Sequence, residues 1–456
     1  MKFFFEPSNV ALIGATETHG KPGRNLHVNL SGGFGDNYYP VNPKGGELSG
    51  RKVYKSITEI PVDIDVAVIF IPAKFTLDAV KECVEKDVKG IIIQSAGYSE
   101  VGEEGKLLQE KIVQTANDAG IRVWGPNCMG VINGNKRYVI SFMSPRPWDE
   151  KLIPGGLSMV VQSGMLSAGF LISAMGRANF GLSKVCSIGN KADVNELDVL
   201  EYLIKDDETK VVAMYLESIT DGPRFMKAAK NAGKPIVVLK GGVSEGGARA
   251  AVSHTASIAG DRRIIDGALE QANVVRVEGF YELLDVARML DRYGRRPKKN
   301  AKLAVLTFSG AAGIVTSDTI DSMGMELAEY SDDTKKKLEK IYPPWMPPEN
   351  PADLYPAIEI NGPIKTYAVA LKASLEDDNV DAIMMHIFAM PIQLIGDKLD
   401  EWSDIIAKYN KPVVAWLMGD PESSIKMSWE LEMRGLPVMP DIRRAASTLA
   451  AVFSGR

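Results

Sequence analysis

The sequence predicts an α/β protein of three consecutive doubly wound, mostly parallel-sheet domains, the first Rossmann-like and the other two flavodoxin-like. Short runs rich in Val and Ile recur between amphipathic segments of helical length, as expected for parallel strands buried on both faces and covered by helices. The runs fall into three blocks, and the first apolar run of each ends in a glycine-containing turn before a helical pattern: Ile13-Gly14-Ala15, Gln162-Ser163-Gly164 and Ser309-Gly310-Ala311. A chain of 456 residues also exceeds one ordinary core, since domains typically hold roughly 100–200 residues.

In the first block the expected strands are Val10–Ala15, Tyr38–Val41, Val66–Ile71, Gly90–Gln94 and Arg122–Trp124, with helices such as Phe75–Lys86 and Glu103–Asp118 between them. The second opens at Gly155-Gly156 and carries Leu157–Gln162, Ser183–Ile188, Val211–Glu217 and Ile236–Leu239. The polar, basic stretch from Tyr293 to Asn300 reads as a linker with a solvated charge run. Beyond it come Leu303–Phe308, a Pro-rich insertion at Tyr342–Pro348, and strands Asp381–Ile387 and Pro412–Leu417. The expected domains are therefore 1–130, 131–294 and 300–456.

With 45% hydrophobic and 24% charged residues, disordered and fibrous classes drop out. A net charge of −5 gives no general attraction for a polyanion, so nucleic acid is not an expected partner and any phosphate must be held locally. Three cysteines (Cys83, Cys128, Cys186), with no zinc spacing, fit a reducing compartment. The start lacks a signal-peptide core, and no apolar stretch approaches the ~18 residues of a membrane span. The expected location is cytoplasmic.

The segment from Val10 to Gly23 takes a strand into a turn holding Gly14, Ala15, Thr16, Gly20 and Lys21 before a helix. Such a turn can set bare backbone N–H groups and a helix N-terminus against a phosphate. Its glycines are too widely spaced for the dinucleotide fingerprint G-x-G-x-x-G. The second strand runs into Val41-Asn42-Pro43-Lys44; a lysine where NAD sites place a carboxylate suits a ribose carrying an extra phosphate, as in CoA or NADP. The strand ends at Gln94-Ser95-Ala96-Gly97 and Gly125-Pro126-Asn127-Cys128 should face the same crevice. Cys128 reads as a small buried residue rather than a nucleophile.

Of the four histidines, His19 and His27 flank the first turn and His386 sits in an apolar strand. His254 stands in a long loop of small residues after a buried strand, within Ser253-His254-Thr255. Such a loop can present an imidazole to an open site, and a neutral ring nitrogen is nucleophilic near pH 7 if the other keeps its proton. Glu217, closing the preceding strand, is the candidate carboxylate partner. A phosphohistidine would carry roughly two negative charges. The helix start at Gln162-Ser163-Gly164 could offset them, with Asn190 and Lys191 at another strand end.

Together these segments, with Asp198 to Tyr202 and the run from His254 to Gly260, resemble the NDP-forming acyl-CoA synthetases, among them ADP-forming acetate–CoA ligase and the more distant succinyl-CoA synthetase α subunits. The resemblance spans the chain, because Phe308 to Gly313 and Asn350-Pro351-Ala352-Asp353 are similar to an extra domain of the ADP-forming branch. It implies an acid–thiol ligase whose CoA-contacting positions are Gly14, Ala15, Thr16, Lys21, Gly23, Val41, Asn42, Lys44, Ile71, Pro72, Ser95, Ala96, Gly97 and Asn127. It further implies that Gln162, Ser163, Gly164 and Asn190 hold phosphate and that His254, with Glu217, carries it. ADP or ATP and Mg²⁺ would sit mainly on an ATP-grasp β subunit, expected as α2β2, because neither an ATP-grasp stretch nor a P-loop is found here. Acyl-CoA or carboxylic acid and phosphate are the implied small molecules. Two departures are Ala256-Ser257 after the His-Thr pair and the stretch Gly134 to Phe142. The rival readings are an NADP-dependent Rossmann oxidoreductase and a catalytically inert CoA-sensing subunit.

Overall fold

The fold is that of a computed structural model, which describes residues 1–145, 151–162, 164–247 and 261–455. Position 163 and the loop bearing His254 lie outside the described residues. Three parallel or mostly parallel sheets flanked by helices are present, as the apolar runs predict. The chain divides into two compact units, Met1–Met175 with Phe180–Leu283, and Gly176–Asn179 with Leu284–Arg456.

The first unit holds two of the sheets. β1 (Val10–Ile13), β2 (Tyr38–Val41), β5 (Val66–Ile69), β6 (Gly90–Ile93) and β7 (Arg122–Trp124) pair all-parallel in the order β2-β1-β5-β6-β7. β1, β5 and β6 are buried at every position, which is why they read as unbroken apolar runs rather than alternating ones. Helices Thr76–Glu85 and Glu103–Asn117 lie within a residue of their expected spans. A small antiparallel hairpin, β3 (Gly46–Leu48) with β4 (Arg51–Val53), follows β2.

The second sheet runs β14-β13-β12-β10-β11-β8-β9. Its parallel part comprises β10 (Pro154–Val161), β11 (Leu182–Ser187), β12 (Val211–Leu216), β13 (Ile236–Lys240) and β14 (Val275–Val277). β8 (Gly130–Asn133) and β9 (Tyr138–Ile140) add on antiparallel to the free side of β11. These two strands were not expected: the stretch Gly134 to Phe142, which departs from the family pattern, holds β9 at the outer edge of the second sheet. The aromatic start of the chain is explained by the same unit, since the Phe4 and Phe5 rings stand 5.3 and 5.8 Å from the Trp124 ring in a core that also contains Val160, Cys186 and Val212.

The second unit carries β15 (Lys302–Thr307), β16 (Glu326–Leu327), β17 (Ala352–Asp353), β18 (Ala382–Phe388), β19 (Val413–Met418) and β20 (Val438–Met439), all parallel, in the order β16-β15-β18-β19-β20 with β17 against β15. The helix Phe280–Tyr293, which enters this unit at Leu284, is pinned by a buried ion pair. Arg288 Nη1 meets both Glu432 oxygens at 2.7 and 2.8 Å, and its Nε meets Asp285 at 3.1 Å. His386, fully buried in β18, places Nε2 3.1 Å from the Thr316 hydroxyl, while its Nδ1 has no hydrogen-bond partner among the described residues.

Candidate functional site

Two crevices open at strand ends of the first unit. In the first sheet β1 is flanked by β2 and β5, so the chain leaves it in one direction and returns on the other side; in open α/β sheets a ligand crevice lies beyond the carboxyl ends of such a pair. Gly14 leaves β1 with φ 102°, and a Cβ there would stand 2.4 Å from the Phe70 carbonyl oxygen, so only glycine fits. Gly23, at the start of the helix Pro22–Phe34, is closely packed too: a Cβ there would lie 3.2 Å from the Thr16 methyl and 3.3 Å from the Gly14 carbonyl oxygen. The turn and the helix N-terminus are thus held together, and the helix cap, Lys21, makes no side-chain capping bond.

One expectation changes in detail. The N–H groups of Gly14 and Ala15 are not bare, because both donate to the Val41 carbonyl, at 3.0 and 3.2 Å. Asn42 tightens the same corner: its side-chain amide donates to the Ala15 carbonyl at 3.0 Å and its Oδ1 accepts from the Lys44 N–H at 3.1 Å. Groups that could hold a phosphate lie further along, at the exposed Lys21 and Lys44 and the helix N-terminus, while the Thr16 hydroxyl donates to Thr18 at 3.0 Å. Ile71 is half-buried and Pro72 exposed at the end of β5. After β6, Ser95 lies 3.3 Å from the Tyr98 hydroxyl, Ala96 is exposed, and Gly97 turns with φ 112° as its N–H donates to Glu100 at 2.6 Å. Asn127 N–H donates to the Ser95 carbonyl at 3.0 Å, which joins the ends of β6 and β7.

Cys128 sits beneath this crevice, 2% exposed, its thiol donating to the Ile93 carbonyl at 3.3 Å. Burial pushes the thiol up to about 12, so it packs rather than reacts. His19 is exposed, whereas His27 is buried with Nδ1 3.0 Å from the Tyr38 hydroxyl.

The second crevice follows the same topology. The strand β10 lies between β11 and β12, so the crevice falls where Gln162 ends one strand and Glu217 the other. Gln162 Oε1 accepts the N–H of Glu217 at 2.8 Å and of Ser218 at 3.1 Å, both across the switch point. The Gln162 N–H returns to the Tyr215 carbonyl at 3.1 Å. Glu217 is 7% exposed and its Oε1 accepts from the Tyr215 hydroxyl at 3.3 Å. Burial, with Glu217 beside it, pushes that phenol up to about 12. Gly164 begins the helix Gly164–Met175 directly after this corner, which brings a helix N-terminus to it.

Two lysines complete the site: Lys191, which the sequence already places at a strand end of this block, and Lys240, which sequence reasoning did not single out. Lys240 ends β13 and its Nζ donates to the carbonyls of Glu217 and Gly241 at 2.6 and 2.5 Å. Burial pulls its ammonium down to about 8, Lys191 acts in the same sense, and Glu217 opposes. Lys191, with φ 55°, reaches Ser218 Oγ at 2.9 Å and pairs with the fully buried Glu196 at 2.9 Å. The signal available in the sequence was a cation closing the apolar run Ile236-Val-Val-Leu-Lys240, and a tyrosine two residues before Glu217 on the same strand face.

The Asn190 side chain is engaged by groups of the first sheet's loops and helix. Its side-chain amide donates to Ser99, Glu100 and Gln109 at 3.1, 2.6 and 3.0 Å, and its Oδ1 accepts from Asn127 at 3.3 Å. It ties the loops of the first sheet to the end of β11. Arg122 makes a parallel tie, gripping Asp193 at 3.0 and 2.9 Å and Asp198 at 3.0 Å. The two crevices are thereby fixed relative to each other within one unit.

Residues 8–134 match the family described as CoA binding domain, residues 154–290 that described as succinyl-CoA ligase like flavodoxin domain, and residues 303–440 that described as Ligase-CoA domain. Fold and crevices together define an α/β protein of the CoA-ligase class. The chain is 35% identical over 459 residues to the α subunit of ADP-forming acetate–CoA ligase II of Pyrococcus furiosus, covering 98% of this chain and 97% of that one. It is 36% identical to the ADP-forming acetate–CoA ligase II of Archaeoglobus fulgidus, of whose length it spans 66%. The solved structure of an acetyl-coenzyme A synthetase from Ca. Korarchaeum cryptofilum, in complex with phosphate and ADP, superposes with a TM-score of 0.87 at 31% identity, covering 99% of this chain and 96% of that one. This chain belongs to the family of ADP-forming acetate–CoA ligases.

Proposed function

We propose that the chain is the CoA-binding, phosphohistidine-carrying subunit of an ADP-forming acyl-CoA synthetase, working through an acyl phosphate and phospho-His254. The observation that carries this reading is the meeting of Gln162 and Glu217 at the switch point of the second sheet, with β13 leading from Lys240 into the loop of His254. The proposed domains are 1–130 for CoA, 131–294 for the phosphohistidine loop and 300–456 for the ligase-CoA domain.

Acyl-CoA binds along the first crevice, its phosphates at Thr16, Lys21, Lys44 and the helix N-terminus behind Gly23. The corner made by Gly14, Ala15, Val41, Asn42, Ile71 and Pro72 shapes the wall, and Ser95, Ala96, Gly97 and Asn127 line the strand ends through which the thioester reaches the second crevice. An oxygen of inorganic phosphate attacks the thioester carbonyl, the C–S bond breaks, and CoA leaves as a thiolate that takes a proton. A neutral His254 nitrogen then attacks the phosphorus of the acyl phosphate, and the P–O bond breaks to release the carboxylic acid. Glu217 accepts the hydrogen bond from the other ring nitrogen and steadies the positive charge that the ring develops. Gln162, Ser163 and the helix start at Gly164 receive the phosphoryl oxygens. The phosphohistidine finally passes its group to ADP on an ATP-grasp partner, where Mg²⁺ accompanies the nucleotide, in an assembly proposed as α2β2.

The test is labelling with radioactive ATP in the presence of the partner. His254→Asn abolishes acid-labile label on this chain, and Glu217→Gln slows its appearance while CoA binding, followed by calorimetry, stays near normal. Label of undiminished yield on His254→Asn sinks the proposal.

A further inference from the structure

Buried cations in folded chains are ordinarily matched by carboxylates, since an ammonium withdrawn from water without a counter-charge is strongly disfavoured. Among the described residues Lys184, Lys240 and Arg288 are the cations buried most completely. Lys184 pairs with Asp206 at 3.3 Å and Glu208 at 2.5 Å, and Arg288 pairs with Glu432 at 2.7 Å. The partly exposed neighbour Lys191 pairs with Glu196 at 2.9 Å. Lys240 has no ion-pair partner among the described residues.

Its surroundings explain why it is nonetheless held in place. An ammonium has three donors. Two are taken by the carbonyls of Glu217 and Gly241, at the ends of adjacent parallel strands, and the third has no acceptor among the described residues. No ion pair joins Lys240 to the Glu217 carboxylate, whose Oε1 accepts from the Tyr215 hydroxyl at 3.3 Å. A positive charge is thus fixed by two carbonyls at the carboxyl edge of the sheet, beside the switch point, with one proton unassigned.

We infer that Lys240 is the oxyanion-binding cation of the second crevice, giving its third N–H to an oxygen of inorganic phosphate and of the phosphoryl group derived from it. This rests on the proposed phosphate chemistry of the same crevice but adds a residue outside the histidine, carboxylate and helix-terminus set. A tetrahedral anion suits the place because it can bridge Lys240 to the helix N-terminus at Gly164, each supplying charge from a different strand end. The groups facing the ammonium are Lys191 from the loop after β11 and Glu217 and Tyr215 from β12, and the lowered affinity of Lys240 for its own proton accords with a cation awaiting its anion.

The experiment is calorimetric titration of the full chain with inorganic phosphate and separately with CoA, for wild type, Lys240→Gln and Lys240→Arg. Loss of a charge-assisted contact weakens phosphate binding by about tenfold or more in Lys240→Gln. Lys240→Arg stays within about threefold of wild type, as expected for a retained charge. CoA affinity is the same in all three. A folded Lys240→Gln that binds phosphate as wild type does overturns the inference, even where His254 still takes label. Conversely, a wild type that never labels at His254 but binds phosphate in a Lys240-dependent way removes the phosphohistidine reading and leaves this one standing. Should Lys240→Gln fail to fold, the wild-type affinity for phosphate is measured above pH 8: a decline as the ammonium deprotonates supports the inference, and a flat profile overturns it.

Discussion

Replacing Gln162 by leucine keeps the volume of the side chain and removes the oxygen that two backbone N–H groups share. Glu217 N–H is buried and Ser218 N–H is partly so. A buried donor left without an acceptor costs about 1–3 kcal/mol, and a half-exposed one about 1 kcal/mol or less. The sum, about 1–4 kcal/mol, falls on the opening of the corner between β10 and β12, so amide hydrogen exchange at Glu217 and Ser218 accelerates by about fivefold to a thousandfold. Peptide-resolved exchange reads this directly, and Gln162→Glu, which keeps an oxygen acceptor, restores most of the protection. Transfer of label slows in the leucine variant, since Glu217 loses its fixed backbone, while CoA binding at the first sheet is unaffected. Exchange at Glu217 and Ser218 within twofold of wild type in the leucine variant refutes the assignment of Gln162 as the residue that positions the carboxylate.

In the second unit, Arg288→Met strands Glu432 and Asp285 in a buried setting and lowers stability by about 3–5 kcal/mol in urea unfolding, whereas Arg288→Met combined with Glu432→Leu recovers much of the loss. His386 gives this unit an acid sensitivity: burial pulls its imidazole from 6.5 down to about 4. The unfolded chain therefore binds a proton that the folded one refuses. Stability is complete above pH 6.5, falls by about 3 kcal/mol as the pH drops towards 4, and levels off below. His386→Leu flattens that part of the pH–stability curve, and an unchanged slope in the variant counts against the assignment.

Parallel strands buried on both faces announce themselves as apolar runs, so β1, β5, β6 and β12 were legible within a residue or two, and β10 all but its first three residues. The strands that escaped are short or irregular in pattern. β8 and β9 form an antiparallel ribbon in which glycine, asparagine and tyrosine break the apolar run, and β14, β16, β17 and β20 are two or three residues long. Strand-end logic put Glu217 and Gln162 on the carboxyl edge of one sheet, and the pairing of β10 with β12 brings them to one corner. The contacts of Asn190 and Lys240 were not legible, for a reason no local pattern carries: their partners lie at sequence distances such as 91 residues for Ser99 and 23 for Glu217. A strand-terminal lysine looks the same in sequence whether it faces water or caps two carbonyls. The bare amides expected at Gly14 and Ala15 failed similarly, because β2 returns alongside and takes both donors.

The antiparallel ribbon of β8 and β9 has a consequence for how these modules can be separated. A fragment beginning at Pro154 would leave β11, whose six residues are all buried, as an open border with its hydrogen-bonding groups unpaired and Cys186 uncovered. Such a border invites pairing with another chain. Any rearrangement that joins the histidine-bearing sheet to a different neighbour must therefore carry residues 130–140 along as its selvedge, although in sequence they sit closer to the strands of the preceding sheet.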